Sequence, residues 1–268
     1  MVIPSMTSDT CTGARPLPPA RRDRYLARVG LTPEELRPLD ETALRTLVAA
    51  HVATVPFENT RIHRGEAASV DPARIYERLV TRHAGGICYE LNGGLAALLA
   101  GLGARSALVA GAVVGPSGAT GVPLGHAACV VTVGGACWLA DVGFGGEGLL
   151  VPLPERRTRL HTPSGASYEV DPRPRDLSDF EAMAWWHSTS PRSRFTSSVV
   201  VSTTSGGRTT TLAGSGQPLS FHLRTTGGGQ RELTPAAAQR TARDLFGLRE
   251  PLPHTLIRYA PASVEASR

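Results

Sequence analysis

Two β-rich runs meet at a pair of glycines. His126-Ala127-Ala128-Cys129-Val130-Val131-Thr132-Val133 leads into Gly134-Gly135, and Ala136-Cys137-Trp138-Leu139-Ala140-Asp141-Val142 leads out. Such runs joined by two residues that tolerate positive φ predict a tight hairpin. A two-residue loop sets the register: Val133 faces Ala136, Ala128 faces Asp141, and His126 faces Gly143. Side chains alternate with period 2, so His126 and Asp141 share a face as diagonal neighbours, with Cα atoms about 7–8 Å apart. A slip of one residue would put them on opposite faces. A carboxylate beside an imidazole orients the ring and leaves its other nitrogen to take a proton. A turn-capping aspartate and a strand-end surface histidine are the plainer alternative, and the hairpin alone leaves both readings open.

The run Gly85-Gly86-Ile87-Cys88-Tyr89-Glu90-Leu91-Asn92 offers that imidazole a nucleophile. Two glycines bring the backbone into a tight approach and a thiol follows. Leu91, Leu95, Leu98 and Leu102 recur at roughly helical spacing, which sets Cys88 at or near a helix N-terminus. Unpaired N–H groups and the macrodipole favour a thiolate there. A thiolate is the nucleophile of acyl transfer and needs a base nearby. The alternative is a buried structural cysteine. One Cys with His and Asp elsewhere in the chain is a candidate system whose adjacency lies in space, not in sequence. Glu90 suits the first turn of the helix as a carboxylate and is assigned to structure. His51, on the stripe Leu44, Leu47, Val48, His51 and Val52, reads as a core or helix-end histidine.

The assembled residues resemble the arylamine N-acetyltransferase family. The match begins at Tyr25-Leu26-Ala27-Arg28-Val29-Gly30 and passes through His51, Val55-Pro56-Phe57-Glu58-Asn59 and the Cys88 run. It continues through His126 and Asp141-Val142-Gly143-Phe144-Gly145-Gly146. Ser188-Thr189-Ser190-Pro191-Arg192-Ser193-Arg194-Phe195 and Leu245-Phe246-Gly247-Leu248 close it. The resemblance implies a Cys88, His126 and Asp141 triad. It implies ping-pong acyl transfer from coenzyme A to an amine through a thioester on Cys88. Phe57 is then a pocket residue, with Gly125, Phe144, Gly145 and Gly146 near the acyl donor. No cofactor is held permanently, since acetyl-CoA or another acyl thioester is a co-substrate. The partners are a small-molecule amine acceptor and a coenzyme A thioester. Amide synthases of the same family share the triad and load from an acyl carrier protein, so that donor stays open, as does a non-catalytic relic. Three departures stand out. The family usually has arginine before the two glycines, where it ties the loop down; here it is Ala84. It usually has threonine before the histidine; here it is Gly125. The stretch from Pro152 to Tyr168 reads as shorter by roughly a strand pair.

The expected fold class is α+β with a cysteine-protease-like triad. A disordered tail spans 1–18, and a helical lobe over 19–103 carries the nucleophile. A β-barrel-like domain over 104–205 carries His126 and Asp141, and a small α/β lid spans 206–268. The layout is the family's; the patterns agree in placing helices first and strands later. Within them, Thr32-Pro33-Glu34-Glu35 has a capping-box pattern, Asp71-Pro72 starts a helix, and 163–174 reads as loop for its prolines and charges.

Composition narrows the partners. The net charge is +5, and every basic residue is arginine. The charges are scattered, with no basic stripe interleaved with aromatics, so nucleic acid is not expected. No apolar run approaches a membrane span, and Met1 to Pro18 lacks the pattern of a secretory signal. Four cysteines in 268 residues make no disulfide framework, and a reduced, cytoplasmic setting is expected. No Cys-x-x-Cys or histidine cluster proposes a metal.

Overall fold

The structure, a computed structural model, describes residues 13–257. Helices come first where apolar positions recur at helical spacing behind a cap. α1 (Pro19–Arg28) opens on proline, and α2 (Glu41–Thr54) opens on Asp40, whose side chain accepts from Ala43 N–H. β1 is the two-residue strand Phe57–Glu58. α3 (Pro72–Tyr76), capped by Asp71, runs into a π-helical turn, Glu77–Thr81. α4 (Cys88–Gly101) starts on Cys88 itself. The capping-box pattern at Thr32 makes its bond, Thr32 N–H to Glu35 Oε2 at 2.7 Å, yet yields only the 3₁₀ turn Glu34–Leu36. Pro38 follows and holds Arg37 in the extended region, which ends the helix early.

Strands then take over. β2 (Arg105–Val114), β3 (His126–Val133), β4 (Ala136–Phe144), β5 (Glu147–Pro152), β6 (Thr158–His161) and β7 (Ser167–Arg175) form one antiparallel sheet, ordered β5-β4-β3-β2-β7-β6. The β3–β4 register is the expected one. Val133 faces Ala136 and Cys129 faces Ala140, around Gly134 and Gly135 at φ 56° and 76°. Two positive φ values match the turn that follows the strand twist. The β-barrel-like expectation is met in part: the strands form one continuous sheet, but its ends, β5 and β6, are edges that do not pair with each other, so no barrel closes. The expectation of a loop over 163–174 is corrected, since most of it is β7. Pro172 and Pro174 fit there because the β2–β7 register jumps between Val109 and Ala110, where the ladder is interrupted.

α5 (Glu181–Thr189) and α6 (Arg194–Ser197) lead to β8 (Val199–Ser205), β9 (Arg208–Ser215), β10 (Ser220–Thr225), β11 (Gln230–Leu233) and α7 (Pro235–Asp244). Their sheet runs β1-β8-β9-β10-β11, so its first strand comes from the N-terminal part of the chain. Ser205 pairs with Arg208, so the division drawn at 205/206 cuts a hairpin. Of the expected tail, residues 1–12 lie outside the described ones, as does Cys11. Ala14 N–H donates to Ser106 O at 2.8 Å and Leu17 N–H to Ala97 O at 3.2 Å, so the chain already lies on the body at these residues.

Alternation along β3 divides the core. Ala127, Cys129 and Val131 pack with the helices. Ala128 and Val130, with Leu139, Tyr168 and Val170, form a separate core on the other face of the sheet. A third core joins β8–β11 to α7 through Val199, Val201, Leu212, Phe221 and Ala238. Among the described residues no helix is long and apolar enough to cross a membrane.

Candidate active site

The hairpin delivers the two groups its register predicts. His126 Nε2 lies 2.7 Å from Asp141 Oδ2, with both side chains buried. The remaining ring nitrogen, Nδ1, is left free of that carboxylate, and Cys88 lies near enough to contribute to the raised pKa of the imidazole. Cys88 reaches the strand because Gly143 has no side chain. A Cβ there would fall 2.7 Å from Cys88 Cα and 2.6 Å from Asn92 Nδ2. Helix α4 thus seats its first residue on the strand that carries Asp141.

Asn92, one turn after Cys88, joins the two elements. Its Nδ2 donates to Asp141 Oδ1 at 2.8 Å and to Ala127 O at 2.7 Å, and its Oδ1 accepts from Val142 N–H at 3.0 Å. Gly143 N–H adds a 2.9 Å bond to Asp141 Oδ1. The carboxylate is therefore oriented by three neighbours. Burial alone would raise the Asp141 pKa; the His126 charge and these hydrogen bonds outweigh it, and the carboxyl is held below its usual range. Burial likewise works against a charged His126. The Asp141 charge and bond, with a smaller contribution from Cys88, override it and push the imidazole up to about 10. An imidazole in this setting holds a proton once it has taken one.

Aromatic rings close around the imidazole. Tyr168 of β7 lies 4.7 Å from the His126 ring, and Phe144 meets it edge-on at 5.1 Å. Neither Asn92 nor Tyr168 was assigned to the site by the sequence. Asn92 lies at helical spacing from Cys88, a signal that goes unread without knowing which strand the helix meets. Tyr168 lies in a segment read as loop, so nothing in the sequence pointed to it.

The other expected site residues divide. Phe57 is buried, with its ring 5.8 Å from Phe195. Gly125 offers its carbonyl to His187 Nε2 at 3.2 Å. A Cβ on Gly125 would lie 2.9 Å from Val122 O, so a larger residue there needs the loop to move. Gly145 and Gly146 have φ of 64° and 88°. Gly145 faces open space, whereas a Cβ on Gly146 would strike Ser202 at 2.6 Å. The close approach at Gly146 is therefore to β8. His51 stands apart from these residues, with Nε2 2.9 Å from the Tyr25 hydroxyl. Glu90 is structural: it pairs with Arg61 and accepts from Ile87 N–H at 3.2 Å. Among the described residues no group of three or more His, Cys, Asp or Glu is placed to hold a metal ion.

Comparison with known proteins gives the same fold and a family. A model of the N-acetyltransferase family matches residues 40–163 and 155–249. The arylamine N-acetyltransferase of Mycolicibacterium smegmatis is 35% identical over 208 residues, covering 66% of this chain and 74% of the relative. That of Mycobacterium tuberculosis is 30% identical over 235 residues, covering 76% and 82%. The solved structure of the Mycobacterium marinum arylamine N-acetyltransferase in complex with CoA superposes with a TM-score of 0.70 at 28% identity, covering 84% of this chain and 91% of that one.

Proposed function

Because the chain belongs to the arylamine N-acetyltransferase family, we propose that it carries an acetyl group from acetyl-CoA to the nitrogen of an aromatic amine through a thioester on Cys88. The observation that supports this reading is the buried His126–Asp141 pair, closed at 2.7 Å, with Cys88 seated against Gly143 of the strand that carries Asp141. The relatives named above are arylamine N-acetyltransferases, and one is solved with CoA. Coenzyme A rather than a carrier protein is therefore the proposed donor. A reducing cytoplasmic setting suits a nucleophile that must stay a thiol.

The steps follow from the residues. His126 Nδ1 takes the Cys88 proton, and Asp141 stabilises the imidazolium. The thiolate attacks the acetyl carbonyl carbon. The bond from that carbon to the coenzyme A sulfur breaks, and the leaving sulfur takes the proton back from His126. Acylation removes the thiolate charge, which helps to raise the imidazole pKa. The ring is then a weaker proton holder with a free Nδ1. The amine attacks the thioester, its proton passes to His126, and Cys88 leaves as the thiol when that proton is returned. The base is thus tuned by the state of its own nucleophile.

The test is mass spectrometry after mixing with acetyl-CoA and no amine. One acetyl mass on the Cys88 peptide is expected, discharged by added aniline, with none on a Cys88→Ser variant. A Cys88 peptide that stays unmodified overturns the reading.

A further inference from the structure

Gly85 and Gly86 determine where Cys88 stands, and two ties hold them. The first is backbone pairing with the β1 segment: Gly86 N–H donates to Pro56 O at 3.3 Å, and Glu58 N–H to Gly86 O at 2.9 Å. The approach is close enough that a Cβ on Gly85 would fall 1.9 Å from Pro56 O. The second is a guanidinium. Arg78 Nε donates to Gly85 O at 2.7 Å, while another N–H of the same group pairs with the Glu58 carboxylate. The two side chains are 5% and 0% exposed. Glu58 is fixed in turn, accepting from Thr60 N–H and from the Thr60 hydroxyl, each at 2.7 Å. One planar group thus joins the nucleophile loop to the segment beneath it, a task for a rigid fork of donors.

Residue 84, where the resemblance leads one to expect arginine, is Ala84. It is 1% exposed, with its N–H donating to Arg78 O at 3.1 Å. The side chain of Arg78 comes instead from the π-helical turn Glu77–Thr81. Such turns are rare and concentrate at functional sites.

We propose that Arg78 is the positioning residue of the nucleophile, holding the Gly85-Gly86 loop in place of an arginine at 84. The proposal rests on the reading of Cys88 as nucleophile. The loss of a loop anchor is a readable event, because a displacement of about 1 Å costs on the order of 100-fold in rate.

The test compares the parent with Arg78→Lys, Arg78→Met and the double variant Arg78→Met/Ala84→Arg. Iodoacetamide alkylation is read on the Cys88 peptide, acetyl loading is read beside it, and thermal unfolding is followed in parallel. Arg78→Lys keeps a charge beside Glu58 but cannot serve both acceptors with a planar fork. It should alkylate about 10-fold more slowly with a near-parental Tm. Arg78→Met should fall by about 100-fold, and Ala84→Arg should restore most of that loss. Parent-like alkylation in a folded Arg78→Lys overturns the proposal. So does an Arg78→Met loss that Ala84→Arg leaves unrepaired. If Arg78→Met does not fold, Arg78→Lys against Arg78→Lys/Ala84→Arg carries the same comparison. Failure of the parent to load acetyl would count against the acyltransfer reading, while the alkylation ratios would still decide the role of Arg78.

Discussion

Asp141 and His126 shift each other's protonation in opposite directions, and the sign of each shift sets a pH dependence. His126 is raised from 6.5 to about 10. Its contribution to stability is full below pH 6.5 and is lost as pH rises through about 10. Asp141 is lowered from 3.8, so its contribution is present above that value and lost as pH falls. The pair is therefore most stabilising between about pH 4 and 6.5. Urea midpoints measured from pH 6 to 10 should decline in the parent. In an Asp141→Asn variant, whose imidazole has lost its charged partner, they should be flatter over that range. Equal slopes would show that the pair is not charged as described. Much of this pair was legible, because a two-residue turn and period-2 alternation leave little freedom in register. The contribution of Asn92 was not, since its three bonds run to two different strands and exist only after α4 docks.

At the scale of elements, the proposed chemistry rests on the docking of α4 on β4. Position 143 tolerates only hydrogen, because two atoms of α4 lie within 2.7 Å of where a Cβ would be. A Gly143→Ala variant forces the helix start away from the strand, at about 1–3 kcal/mol of overpacking. Acetyl loading should fall at least 10-fold. Gly145→Ala is the control: its Cβ meets nothing within 4 Å. The positive φ alone costs it about 1–2 kcal/mol, and loading should stay near the parent's. Loss of loading in Gly145→Ala but not in Gly143→Ala would contradict the geometry. Some elements could not be read from local pattern. β7 carries two prolines that no isolated strand would favour, and they are tolerated only because β2 breaks register beside them. The capping box at Thr32 gave the right bonds and the wrong element, since Pro38 stops what Pro33 starts.

At the scale of the whole molecule, the C-terminal lobe is joined to the rest by strand pairing and by charge. β8 pairs with β1, and Glu250 meets Arg64, with Arg78 3.7 Å away. Arg64 also donates to Pro251 O at 3.1 Å. The Arg64 and Glu250 side chains are about a quarter exposed, so their pair is screened by solvent and worth at most about 1 kcal/mol. A Glu250→Gln variant should lower Tm slightly at low salt and match the parent at high salt. A large or salt-independent loss would mean that the contact is packing rather than charge. The order of helices and strands was legible along the chain. The sharing of a sheet between β1 and the C-terminal strands was not, because nothing local marks a two-residue strand as the partner of one so distant.

All 28 basic side chains are arginines, and well-exposed ones such as Arg45, Arg157, Arg173 and Arg243 present guanidinium to solvent where another protein would present ammonium. Guanidinium keeps its proton throughout the neutral range and is no match for an amine as an acyl acceptor. On the proposed reading, an acetyl group activated on sulfur meets surface cations that do not take it up. With no lysine in the sequence, no side-chain primary amine is there to be modified by mistake.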